Sequence, residues 1–148
     1  MTLLVVADPR EVGRPSLEHD REIIAYVLSG TTFRGRYDIA EAFDISVQEL
    51  GDRLSDPKPD LVVFRGQGSA RGLCARNHAG NHLVVGPTAL GALLKVTGVR
   101  GIILSACGDT EYARRAIGSS GISYIGMRDR LVDPASIGVF AAVFRCLS

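Results

Sequence analysis

The stretch Gly101-Ile-Ile-Leu-Ser-Ala-Cys107-Gly108-Asp109 decides how this chain reads. Gly101 to Leu104 carries no charge and includes two adjacent isoleucines, the pattern of a buried strand. The run ends at a cysteine followed by glycine, where a backbone can turn sharply. Open α/β sheets hold ligands and reactive groups at the carboxyl ends of their strands. Cys107 is therefore a candidate nucleophile, and the question for the rest of the chain is whether that thiol has a partner.

A second stretch has the same grammar. Leu61-Val-Val-Phe64 is an apolar run that ends in Arg65-Gly66-Gln67-Gly68. If the two strands are sheet neighbours, their ends lie about 5 Å apart. Gln67 and Cys107 could then meet over the carboxyl edge. Glycines on both sides of Gln67 free backbone N–H groups to form an oxyanion hole.

Outward from these two runs, strands and helices alternate. Thr2 to Ala7 is continuously apolar, as in a strand buried on both faces. Ser16 caps a helix carrying Leu17, Ile23, Ile24, Val27 and Leu28, with Glu18 to Glu22 as its polar side, and Gly30 ends it. Tyr37 to Phe43 reads as a half-exposed strand near an edge, with Tyr37, Ile39 and Phe43 interleaved with Asp38 and Glu41. Ser46 and Glu49 have capping-box spacing for a helix through Leu54, which Asp56-Pro-Lys-Pro-Asp60 breaks. Gly72 to Ala75 and His82 to Val85 suit a small hairpin outside the sheet. Gly86-Pro87-Thr88 opens a helix through Leu94, Val99 to Ser105 is the next main strand, and Thr110 to Ile117 is a short helix. Ser123 to Met127 is a fifth strand, and a last helix starts at Asp133 or Pro134. This alternation predicts an α/β domain: a mostly parallel central sheet of about five strands, helices on both faces, and a small hairpin after the third strand.

Composition sets limits. At 148 residues, with 46% hydrophobic and 6% aromatic residues, the chain suits one domain, residues 1–148, around an aliphatic core. A net charge of +1 gives no electrostatic footprint for nucleic acid or a membrane surface. No apolar run approaches about 18 residues, so no membrane span is expected. Met1 to Ala7 lacks a basic leader region and reads as a strand. Cys74, Cys107 and Cys146 are odd in number and have no C-x-x-C spacing, which argues against a disulfide framework or a zinc site and for the reducing cytoplasm. Gly66 to Gly72 lacks the Lys-[Ser/Thr] ending of a phosphate loop, so no cofactor or metal is expected.

The two strand ends, in this order and separated by a hairpin-like insert, resemble the caspase-like CHAT domains, relatives of caspases, separases and gingipains within the clan CD cysteine peptidases. Other segments agree. Thr2 to Ala7 with Asp8-Pro9 is similar to the family's first strand and turn. Arg14 to Ile23 resembles the charged start of its first helix. Tyr124 to Met127 and Asp133 to Ile137 resemble the fifth strand and final helix. The resemblance implies a three-layer caspase-like fold. It places Cys107 at the nucleophile position, Gln67 where the family has its general-base histidine, and the backbone N–H groups of Gly68 and Cys107 at the oxyanion hole. Relatives in this prokaryotic family often carry further sequence after the last helix, commonly linked to partner-sensing modules, so a chain with Phe144-Arg-Cys-Leu-Ser148 here is either a stand-alone minimal unit or a piece of something larger.

The departure at Gln67 has a chemical cost. A glutamine amide does not titrate near neutral pH and cannot take the thiol proton. Losing a general base costs about 10² to 10⁴ in rate, roughly 3–5 kcal/mol of barrier. The expectation is an impaired cysteine endopeptidase or pseudoenzyme that binds a peptide, a catalytic homologue or a sensor module. Two alternatives stand beside it. One is an active peptidase with His78 or His82 as surrogate base. The other is a non-enzymatic flavodoxin- or receiver-like binding module. Arg65, Arg71 and Asp109 are candidates for a substrate pocket, with Asp109 equally suited to capping the next helix. Cys74 and Cys146 read as packing residues.

Overall fold

The computed structural model describes residues 2–7, 21–22, 24–26, 29–30, 37–65, 73–104, 110–118 and 121–126. The elements are β1 (Thr2–Ala7), β2 (Asp38–Phe43), α1 (Val47–Ser55), β3 (Leu61–Arg65), β4 (Leu73–Arg76), β5 (His82–Val85), α2 (Pro87–Thr97), β6 (Gly101–Leu104), α3 (Thr110–Ile117) and β7 (Ser123–Gly126). Residues 21–22, 24–26 and 29 are also helical, and Gly30 turns out of that helix. The expected helix from Asp133 or Pro134 lies outside the described residues, as does Cys146.

The sheet is parallel and ordered β2-β1-β3-β6-β7. The apolar runs take its centre. Leu61 to Phe64 of β3 are all buried, flanked by β1 and β6. Chain direction explains the layers. From β1 the chain moves one way to β2, then reverses through β3, β6 and β7. Parallel crossovers are right-handed, so helices on the outward and return moves must lie on opposite faces. The helices α1, α2 and α3, all on the return, share one cluster in which Leu50, Leu54, Leu90, Leu94, Ala116 and Ile117 meet Leu4, Val62 and Ile102 of the sheet. The helix around residues 21–29 belongs to the outward move. Its Arg21 lies 3.9 Å from Glu41, the Ala25 carbonyl accepts from the Tyr37 hydroxyl, and Ile24 is fully buried outside that cluster.

β2 is an edge strand, as its mixed composition suggests, but its faces divide differently from the sequence reading. Ala42 is the buried residue and Ala40 joins it against the larger cluster. Glu41 shares the opposite face with Ile39 and Phe43, because alternate residues of a strand share a face. The alanine face meets the cluster that holds α1, while Glu41 on the other face stands beside Arg21 of the helix around residues 21–29.

The amino edge is stitched by one residue. The Asp60 carboxylate accepts from the Thr2 N–H at 2.9 Å. Its carbonyl accepts from the N–H groups of Arg100 and Gly101. The starts of β1, β3 and β6 are thereby fixed against one another, which sets the register carried to the far edge.

Candidate functional site at the carboxyl edge of the sheet

β3 and β6 are parallel neighbours, with Leu61 opposite Gly101, Val62 opposite Ile102, Val63 opposite Ile103 and Phe64 opposite Leu104. The condition set by the sequence is met: the strands leading to Gln67 and to Cys107 lie side by side. Gln67 follows Phe64 in the chain by the same number of residues as Cys107 follows Leu104. Gln67, Gly68, Arg71, Cys107 and Asp109 themselves lie outside the described residues. Arg65 is the last residue of β3.

Between β3 and α2 the chain makes the expected hairpin. β4 and β5 pair antiparallel as a separate two-stranded sheet, with Leu73 opposite Val85 and Arg76 opposite His82. Its turn is built on Asn77, whose side-chain Oδ1 accepts from the N–H groups of Ala79 and Asn81, both at 2.9 Å. Gly80 in that turn has φ 78°, a left-handed conformation that glycine adopts without strain. Leu73, Ala75 and Val85 face the core.

The hairpin is held at both ends. At its open end the buried Tyr112 hydroxyl, from α3, donates to the Val85 carbonyl at 2.7 Å and accepts from the Leu73 N–H at 3.4 Å. At its turn end Arg76 binds the residues after β2. Its Nε donates to the Asp44 carboxylate at 2.6 Å and to the Asp44 carbonyl at 3.1 Å, a second guanidinium nitrogen pairs with the same carboxylate, and its N–H donates to the Ile45 carbonyl. Asp44 has φ 52°, a region that aspartate tolerates better than most residues.

This anchoring locates the two candidate surrogate bases. His78 is exposed in the turn, and His82 is exposed at the start of β5. Both belong to the end tied to the loop after β2. β2 is separated from β6 by β1 and β3. At about 4.8 Å per strand the two are roughly 14 Å apart. The His82 ring instead stands beside another thiol, with Nδ1 3.9 Å from Cys74 Sγ. Cys74 is half-buried on the hairpin's outer side, not in the core where a packing role would put it. The sequence concealed this pairing because it depends on the hairpin register.

Among the described residues no cluster of three or more His, Cys, Asp or Glu side chains could hold a metal ion, and no helix is long and apolar enough to cross a membrane. Glu49, at the start of α1, has its titration displaced by the cap. The Ser46 N–H and then the Ser46 hydroxyl hold its carboxylate below the ordinary value of 4.5. The chain matches no family model and no curated protein.

Proposed function

We propose that this chain is a caspase-like domain with a disabled cysteine–histidine pair, acting in the cytoplasm as a regulatory or peptide-binding partner of other proteins. One observation carries the reading. β3 and β6 are parallel neighbours in matched register, and Gln67 and Cys107 follow them at equal offsets. Parallel neighbours in register end at the same edge of a sheet, so chain segments that leave them start from a shared place, as a nucleophile and its activating residue require. Glutamine in the second position gives hydrogen bonding without proton transfer. The hairpin after β3 and helices on both faces also suit the three-layer caspase-like layout. Binding at this edge would use the cleft between the two strand ends, with Gly68 and Cys107 N–H groups as donors and Arg65, Arg71 and Asp109 at its rim.

The surrogate-base reading has less support. The hairpin end that carries His78 and His82 is tied beside β2, and His82 already neighbours Cys74. The binding-module reading draws on the strand order, which flavodoxin-like folds share and whose switch point falls between β1 and β3.

Alkylation of Cys107 by iodoacetamide across a pH series, mapped by mass spectrometry, tests the disabled pair. The expected profile is that of an ordinary thiol, with a midpoint near about 8.5. A midpoint well below about 7 would mean that a base acts on Cys107, and the disabled reading would be wrong. Retention of flavin on purification would favour the binding module instead.

A further inference from the structure

The outer side of the hairpin carries a thiol–imidazole pair. Strand alternation turns Leu73, Ala75, Leu83 and Val85 toward the core and Cys74, Arg76, His82 and Val84 outward. The register sets Cys74 opposite Val84 and diagonal to His82. Diagonal neighbours on one face of an antiparallel pair are within reach of long side chains. Here the contact is Sγ to Nδ1 at 3.9 Å. Val84, directly across from Cys74, is 42% exposed, so this side is accessible. Arg76, opposite His82 on this face, is held by Asp44 from the loop after β2.

An imidazole whose proton sits on Nε2 presents Nδ1 as an acceptor toward the thiol. A thiol beside such a group has the surroundings of a reactive cysteine, partly exposed and next to a proton acceptor. Added bulk at Cys74 would project away from the packed face. We propose that Cys74 is a modifiable thiol with His82 as its proton acceptor, and that it takes low-molecular-weight disulfides. In the exchange, the Cys74 proton passes to His82 Nδ1. The thiolate sulfur bonds to one sulfur of the small disulfide as that disulfide's S–S bond breaks. The departing thiolate takes the proton back from His82. The small disulfide is the oxidant, and one half of it leaves as a thiol.

A neighbour that makes the thiolate about tenfold more populated also lowers its nucleophilicity by about threefold. The expected net gain is therefore about threefold. The test exposes the full chain to hydroxyethyl disulfide near neutral pH and measures mixed-disulfide formation at each cysteine by peptide mass. His82→Ala and His82→Gln should each slow the reaction at Cys74 by about threefold, with thermal unfolding unchanged. Cys107→Ala should leave the Cys74 rate as it was, since this pair is independent of the site at the sheet edge. The rate at Cys74 in the folded chain should also exceed that in urea. Unchanged rates in both His82 variants, or a folded rate no higher than the unfolded one, would overturn the proposal.

Discussion

A Cβ added at Gly91 would come 2.2 Å from the Ala116 carbonyl oxygen, across the contact between α2 and α3. At Gly51, inside α1, the nearest atom to such a Cβ is Leu93 Cδ1 at 3.8 Å, an ordinary contact. Both glycines lie within helices, where alanine is favoured by about 0.5–1 kcal/mol. At Gly51 nothing opposes that preference, so Gly51→Ala should stabilise by about 0.5–1 kcal/mol. At Gly91 the backbone of α3 must move, and overpacking of about 1–3 kcal/mol outweighs the preference. Gly91→Ala should therefore lower the urea midpoint of unfolding while Gly51→Ala raises it. Nothing in the local sequence separates the two positions. The difference comes from a helix crossing between residues distant in the chain, which periodicity does not encode. The same limit hid the contact of Cys74 with His82.

Elements divide in the same way between local and distant causes. The capping box at α1 was legible, since Ser46 and Glu49 stand at the right spacing. In the structure the Ser46 hydroxyl accepts from the Glu49 N–H while the Glu49 carboxylate accepts from the Ser46 N–H. Ser46→Ala should cost about 1 kcal/mol. The pH dependence follows from the Glu49 carboxylate, held below 4.5 in the folded chain by these bonds. Its contribution is fully present above 4.5 and is lost as pH falls through the lower, folded value. The stability difference between the parent and Glu49→Gln should shrink over that acid range, as read by urea unfolding at several pH values. The docking of the hairpin was not legible. Tyr112 bonds to Val85 and Leu73, 27 and 39 residues earlier in the chain. Tyr112→Phe keeps the ring and leaves both backbone groups without the hydroxyl, a loss of about 1–3 kcal/mol. Amide exchange should rise in β4 and β5 while the central β3 stays protected. Equal acceleration in β3 would mean that the hairpin does not open as a separate unit.

For the whole molecule, continuous apolar runs identified β1, β3 and β6 as buried strands because both their faces are covered. β2 gave a weaker signal: an edge strand between two unlike helical layers mixes its faces. The order β2-β1-β3-β6-β7 follows from long-range pairing and could not be read from the runs alone. That order is nevertheless what the proposed site depends on, since it sets β3 beside β6. A histidine at position 67 would then follow β3 at the offset at which Cys107 follows β6. An unassisted thiol is only a few per cent thiolate near neutral pH. Gln67→His supplies a group that titrates in this range and should raise iodoacetamide labelling of Cys107 at neutral pH by about tenfold. The rate at Cys74 serves as an internal reference, because its own neighbour is unchanged. Added Gln67→His, Cys107→Ala should abolish any peptide hydrolysis that the single variant gains. An unaltered Cys107 rate in a folded Gln67→His chain would show that the two strand ends do not form a cysteine–histidine site, and with it the caspase-like reading would fall.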